Sequence, residues 1–391
     1  MGLASARASM MSSRGRLCFY VPYLYPIAVG GEIELAGGIE VQHWAVARAL
    51  AQRGFDVSVA TGDYGQDSVV IRDGVSLVRT YSTDAGIPGV RFFYPRLWKA
   101  MRALRGIGAD VYLASGAGLH AGWAYDAARL AGGRFVFFAA SDKDAVRSLP
   151  ALTRRRERWW YVRALRGASM RVAQTELQRR LFRDNFGVNA HVIANPAEVP
   201  EEAADPGGND IVLWLSTYKS SKRPEWFLEL ARRLPDIRFV MVGYPPSAAT
   251  NEHWQAATQA AATLPNLEVH GFVEHRRIGR FFAEAALFVH TSPLEGFPNT
   301  LLEAWAHGVP TVSAVDPGGV IERHQIGRLV DNLDGLARAV ADTMAAPELR
   351  RTVGARARRY VEAHHGPDRT VEPLAVLLDG VVANESPNRR D

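Results

Sequence analysis

Glu295 and Glu303 bracket the run Gly296-Phe297-Pro298-Asn299-Thr300, a spacing of little weight by itself in a chain of 391 residues with 41 Asp and Glu. Their setting says more. Glu295 falls on a loop after the apolar run 287–290, Gly296 lets another group approach the backbone closely, and Asn299 is the expected N-cap of a helix beginning at Thr300. Glu303 then lies about one turn inside that helix. Carboxylates flanking a helix N-terminus leave free N–H groups and the positive end of a dipole between them, an arrangement suited to phosphate. This is the chemistry of a nucleotide-sugar cradle, one carboxylate for sugar hydroxyls and one for ribose hydroxyls. The plainer reading is that acids are favoured near any helix start.

Lys222, in Ser220-Ser221-Lys222-Arg223-Pro224, falls at the end of a predicted strand just before a helix. An ammonium there can meet phosphate charge, although solvation is the ordinary fate of a lysine. Gly37-Gly38 open the helix that carries Glu40. They either let an anion reach that helix N-terminus or serve a turn needing positive φ. Asp142-Lys143-Asp144 has the spacing to hold a divalent cation through oxygen. No further acidic cluster or His/Cys set accompanies it, so no metal is expected, and Asp142 either points at the ligand or caps a turn. Gly116-Ala117-Gly118-Leu119-His120-Ala121 formally matches a dinucleotide fingerprint. It follows a later strand and lacks an acid about 20 residues on, so a flexible turn is the better account.

Positioning these groups falls to short apolar runs alternating with helical periodicity. Strands are predicted at 17–21, 57–61, 111–114, 135–140, 171–173 and 191–194, with helices at 40–52, 120–130 and 176–185. A stretch rich in Pro, Gly and acid, 195–210, reads as a linker. The alternation then resumes with strands at 211–215, 238–242, 267–269, 287–290 and 311–313 and helices at 224–234, 251–264, 276–285 and 300–307, closed by 333–345 and 347–365. The fold class is therefore α/β, two Rossmann-like doubly wound lobes facing across a cleft, with ligands beyond the carboxyl ends of the strands. The expected division is a disordered tail over 1–15, a first lobe over 16–200, a second over 201–365, and a segment 366–391 that could return to the first lobe before fraying.

Composition agrees with this reading: 47% hydrophobic and 22% charged residues make an ordinary globular protein too long to be one small binding module. The single Cys18 sits in an apolar run, which predicts a buried thiol, no intrachain disulfide and a reducing, cytoplasmic setting. No apolar run is long enough to span a membrane, and residues 1–16 lack the apolar core of a signal peptide. A net charge of +5 is too small to imply nucleic acid without a localised patch.

Taken together, Gly37-Gly38-Ile39-Glu40, Lys222-Arg223-Pro224-Glu225, Phe239-Val240-Met241-Val242-Gly243, His270-Gly271-Phe272-Val273 and Glu295 through Glu303 resemble the retaining glycosyltransferases of family 4, which have the GT-B fold. The resemblance runs over residues 16 to 365. It implies a nucleotide diphosphate-sugar co-substrate in the second lobe, an acceptor in the first, retained anomeric configuration, and no obligatory metal or cofactor. By the same resemblance Glu303 binds ribose hydroxyls, Glu295 the donor sugar, and Lys222 the leaving diphosphate. Gly296, Phe297, Pro298, Asn299 and Thr300 would line the donor, with Gly243, Phe272 and Val273 beside it and Gly37 and Gly38 approaching from the first lobe. Two departures stand out. Thr217 occupies a position where many members carry arginine, so Lys219 would have to replace that charge. A histidine usual before Asp142 is absent, and Asp142 would orient the donor sugar or acceptor in its place. A sugar epimerase of the same fold, or a silent binding module, are the alternative functions.

The last expectation concerns location. Between 147 and 171 the chain carries eight arginines against one acid, Glu157, together with Trp159-Trp160-Tyr161. Basic residues beside aromatics would seat a peripheral helix on anionic lipid at the inner face of a membrane, bringing a lipid-linked acceptor within reach. Equally, the aromatics would be core and the arginines merely solvated.

Overall fold

The computed structural model describes residues 13–30, 37–82, 86, 92–245 and 248–383. Most of the expected tail, 1–12, and the end of the C-terminal segment, 384–391, lie outside the described residues.

The first lobe is built on β1 (Arg16–Tyr20), β2 (Asp56–Thr61), β3 (Val69–Arg72), β4 (Val75–Arg79), β5 (Val111–Ser115), β6 (Arg134–Phe138), β7 (Met170–Ala173) and β8 (His191–Val192). They form one sheet in the order β3-β4-β2-β1-β5-β6-β7-β8, parallel except for the β3–β4 hairpin. Its helices are α1 (Tyr25–Val29), α2 (Gly38–Gln52), α3 (Trp98–Ile107), α4 (Leu119–Ala131), α5 (Arg155–Gly167) and α6 (Glu176–Phe186). Alternate residues of each strand feed opposite faces. Cys18, Tyr112 and Phe137 pack on Leu104, Trp123, Tyr161 and Phe182 of α3 to α6, while Leu17, Phe19 and Val136 pack on Trp44 and Leu50 of α2. Such two-sided burial is why these strands read as almost wholly apolar. The β3–β4 hairpin and α3 are additions to the sequence reading. Asp73 (φ 46°) and Gly74 (φ 80°) make the tight turn of the hairpin, and an Asp-Gly pair between alternating runs is the signal that would have found it.

The second lobe repeats the plan with β9 (Ile211–Leu215), β10 (Arg238–Val242), β11 (Leu267–His270), β12 (Ala285–His290), β13 (Thr311–Ser313) and β14 (Gly327–Leu329), all parallel, in the order β11-β10-β9-β12-β13-β14. Helices α7 (Pro224–Arg233), α8 (Glu252–Ala261), α9 (His275–Ala283), α10 (Asn299–Ala306), α11 (Val320–His324), α12 (Leu333–Met344) and α13 (Pro347–His364) cover both faces. The expected α/β class with two doubly wound sheets is what is observed, and in both the order reverses next to the first strand of the lobe, which opens a crevice at the carboxyl ends. A last helix, α14 (Pro367–Ala383), leaves the second lobe and packs on α2 and β5 of the first, burying Val371, Leu374 and Leu378 beside Leu17 and Phe19.

The chain thus crosses between lobes twice, and the crossings touch. Ala197 N donates to His365 O at 2.8 Å, and His365 Nδ1 donates to Asn195 O at 2.8 Å. Burial pushes the His365 imidazole down to about 4, so the joint carries a neutral ring.

Candidate active site in the cleft

Glu295 and Lys222 meet. Lys222 ends a 3-10 turn after β9, Glu295 lies on the loop after β12, and the ammonium pairs with the carboxylate. Burial works to raise the Glu295 carboxyl, but the Lys222 ammonium foremost, with a hydrogen bond from Ser292, outweighs it and leaves it below its ordinary range. His290 is pushed by burial to about 4 and is neutral. Glu303 takes a different partner, His275 Nε2 at 3.1 Å, at the first residue of α9. That hydrogen bond raises the His275 imidazole above its ordinary value.

Several expected roles change. Asn299 does not cap α10: the N-cap is Pro298, with no side-chain cap, and Pro298 O accepts from Leu301 N at 3.2 Å. The Asn299 side chain instead reaches the other lobe. The Phe297 N–H donates to Gln174 Oε1 at 3.0 Å, and the Phe297 ring is buried against His365 and Trp305, so its backbone is not open to a donor in this arrangement. Gly37 N donates to Glu40 Oε2 at 2.8 Å, so in this arrangement that N–H caps its own helix. Gly243 answers a packing demand, since a Cβ there would lie 1.7 Å from the Ser216 carbonyl oxygen. Thr300 is half-buried in the first turn of α10. Thr217 is half-buried and Lys219 exposed on the loop that ends at Lys222; burial raises the Glu40 carboxyl of the first lobe, and Lys219 is near enough to oppose that rise. Phe272 is exposed with its ring near-perpendicular to that of Tyr244, and Val273 is tucked partly into the second-lobe core.

On the first-lobe side, Asp142 opens a 3-10 turn after β6, and its Oδ1 accepts from Gln178 Nε2 at 3.0 Å. Burial pushes its carboxyl up to about 6, Gln178 opposes the rise, and Asp144 and Glu295 add to it. Asp144, its partner in the Asp-x-Asp spacing, turns inward and accepts from Ala117 N (2.8 Å), Ala140 N (2.8 Å) and Ser141 N (2.9 Å). It therefore pins the Gly116–Gly118 turn to the end of β6. Among the described residues no three His, Cys, Asp or Glu side chains gather as a metal set. His43 is also structural: its Nδ1 donates to Ile39 O at 2.8 Å, its Nε2 accepts from Ser115 Oγ at 2.5 Å, and burial lowers it to about 4.

The two halves are joined across the cleft by Asn299, in a role the sequence did not indicate, and by Asn195, which sequence reasoning missed. Asn299 Nδ2 donates to Gly38 O at 2.7 Å. Buried Asn195 donates to Phe297 O and Asn299 Oδ1, both at 3.2 Å, and accepts from Gln42 Nε2 at 2.6 Å. So the structure brings Asn299 to Gly38, Phe297 to Gln174, and Glu295 with Lys222 near Asp142 across the two lobes, whereas Glu303, Phe272 and Val273 take partners in their own lobe.

The arginine-rich segment resolves into two populations. Arg147, Arg158 and Arg171 donate to the carbonyls of Asn185, Leu152 and Leu165, and Arg163 pairs with Asp126. Arg154, Arg155 and Arg166 are exposed on or beside α5, with Trp159 at 60% exposure. Tyr161 is fully buried and Trp160 donates to Asp126 at 2.9 Å, so two of the three aromatics serve packing. Among the described residues no helix is long and apolar enough to cross a membrane.

The model of Glycosyltransferase Family 4 matches residues 36–199, and that of Glycosyl transferases group 1 matches residues 209–346. The chain belongs to the group 1 glycosyltransferases of the family 4 type, and its two facing lobes are the GT-B fold. Over 115 residues it is 29% identical to 2-deoxystreptamine N-acetyl-D-glucosaminyltransferase of Niallia circulans, a match covering 28% of this chain and 29% of that protein. Sucrose-phosphate synthase from Thermosynechococcus elongatus superimposes with a TM-score of 0.78 at 19% identity, over 94% of this chain and 99% of that one. Anabaena HepE in complex with UDP-glucose does so with a TM-score of 0.71 at 15% identity, over 94% and 100%. At these identities the solved structures establish the fold.

Proposed function

We propose that this protein is a retaining glycosyltransferase that moves a sugar from a nucleotide diphosphate-sugar to a saccharide or lipid-linked saccharide, in the synthesis of a surface polysaccharide or glycoconjugate. The observation that carries this reading is the Lys222–Glu295 ion pair on the loop before α10, near Asp142 of the other lobe. In this structure Lys222 is paired with Glu295. A donor diphosphate would draw the ammonium to itself and release Glu295 to the sugar hydroxyls, so both charges are exchanged rather than exposed. Fixed positive charge at a departing diphosphate acts where charge develops in the transition state. Glu303 would take the ribose hydroxyls, and Asp142 would orient the sugar or the incoming acceptor. Exposed Trp159 beside Arg155 and Arg166 supports a second element of the reading, a peripheral seat on anionic lipid near a lipid-linked acceptor.

A thermal-shift screen of nucleotide-sugars, with UDP-glucose as the first probe, tests the donor half. Ligand at about 100 times its Kd should add about 2.7 kcal/mol of stability. Proton NMR of the product then tests retention through its anomeric coupling. A chain stabilised by no nucleotide-sugar, or an inverted product, would overturn the reading.

A further inference from the structure

Gln174 and Gln178 lie at the carboxyl end of β7 and in the first turn of α6, 7% and 0% exposed. Their amides form a chain. Gln174 N donates to Gln178 Oε1 at 2.8 Å, Gln178 Nε2 donates to Asp142 Oδ1 at 3.0 Å, and the Phe297 N–H from the second lobe donates to Gln174 Oε1 at 3.0 Å. Neither amide can be reversed. A backbone N–H at one end of each demands an oxygen there, which turns Gln178 Nε2 toward the Asp142 carboxylate and Gln174 Oε1 toward the loop. Gly296 reports the same closeness from the opposite side. A Cβ at that position would lie 2.4 Å from Gln174 Oε1, 2.7 Å from Gln178 Nε2 and 3.0 Å from Ala140 O. First-lobe atoms therefore fill the space a side chain would need.

We propose that Gln174 and Gln178 are positioning residues that hold the 295–299 loop of the second lobe in register with Asp142 of the first, so that closing the lobes sets Glu295 and Asp142 about a single donor sugar. This rests on the reading of those two carboxylates as donor-sugar groups. Without the pair, the buried N–H at Phe297 and the half-buried carboxylate at Asp142 would each lose a partner, and closure would have no preferred loop position. Asp142 faces Asp144 within its own turn, Glu295 with its partner Lys222 from the second lobe, and Gln178 from α6. Gln178 is thus the neutral donor that offsets two neighbouring acids.

The experiment has two arms on the full chain. Hydrogen–deuterium exchange without ligand should find the amides of 294–300 exchanging about tenfold faster in Gln174→Met than in wild type, while Gln174→Glu, which keeps an acceptor oxygen, retains protection. Unchanged exchange of β5 and β6 peptides certifies the fold, and should Gln174→Met fail to fold, Gly296→Ala pushes on the same contact from the other lobe. Wild-type protection of the loop in Gln174→Met and in Gly296→Ala would overturn the proposal. The second arm follows the pH profile of turnover with UDP-glucose as probe. Gln178→Glu replaces a donor to Asp142 with a third acid and should move the acid limb upward, a shift that disappears when Asp142→Asn is added. A Gln178→Glu profile coincident with wild type, while Asp142→Asn still abolishes the limb, overturns the Gln178 half. A limb that survives Asp142→Asn removes Asp142 from the reaction instead, a failure of the functional reading that leaves the exchange result to decide the loop contact.

Discussion

Glu295 and Glu303 sit on one loop and helix but answer to different bases, Lys222 and His275, and the two pairs should behave differently. Glu303→Ala is expected to abolish transfer chiefly by weakening donor binding, and Glu295→Ala to lower turnover with a smaller effect on donor affinity, each by about 10²–10³ in kcat/KM. Steady-state kinetics beside calorimetric titration of UDP separate the two; near wild-type values in both variants would remove the site assignment. His275 adds a pH signature. Its imidazole is raised by the bond to Glu303, so the pair is complete below the ordinary imidazole value of about 6.5 and is lost as pH rises through the higher folded value. UDP should therefore bind more tightly as pH climbs through that window and frees Glu303, and His275→Phe should flatten the slope. Glu295, Glu303 and Lys222 are legible in the sequence because charged residues beside a strand end and a helix start carry their chemistry with them. Gln174, Gln178 and Asn195 are not. A neutral amide acquires its role from whatever a second lobe brings against it, and no local pattern encodes that.

At the scale of elements, most strands and helices can be read from apolar runs and 3.6-residue periodicity, and β9, β10 and β13 match the predicted spans end for end. Reading fails where tertiary contact overrides local preference. Asn299 has the side chain of an N-cap, yet Gly38 O and Asn195 compete for it from the other lobe and win, leaving the helix to start from Pro298. The glycine after β10 shows how an apparent site residue can be an element requirement. Gly243→Ala should cost about 3 kcal/mol or more, because the obstacle at 1.7 Å is the Ser216 backbone, which cannot swing aside as a side chain would. Gly380→Ala is the contrasting case. It lies inside α14 with nothing within 4 Å of the added Cβ, and should gain about 0.5–1 kcal/mol from helix propensity alone. Denaturant melts of the two variants check both signs, and equal stabilities would contradict this account of the β9–β10 junction.

Across the whole molecule, the outer face of α5 and the double crossing between lobes govern behaviour that no single site explains. Vesicle co-sedimentation should show binding to anionic but not neutral lipid, weakened by salt, with each exposed arginine contributing about 1 kcal/mol at low ionic strength. The reversal to use is Arg154→Glu with Arg155→Glu and Arg166→Glu, because Arg158 holds the Leu152 carbonyl and its loss would disturb the loop before α5. Failure to bind anionic vesicles at low salt would remove the membrane seat and leave the rest intact. The return of α14 has a different kind of consequence, one of timing. Val371, Leu374 and Leu378 form a wall of the first lobe but leave the ribosome only after the entire second lobe has been synthesised. At about 5–20 residues per second, the first lobe waits roughly ten to forty seconds with the flank of α2 and the end of the sheet that α14 covers still exposed. The lobe made first is thus the lobe finished last, and a nascent chain stalled before residue 367 would present that bare face to chaperones.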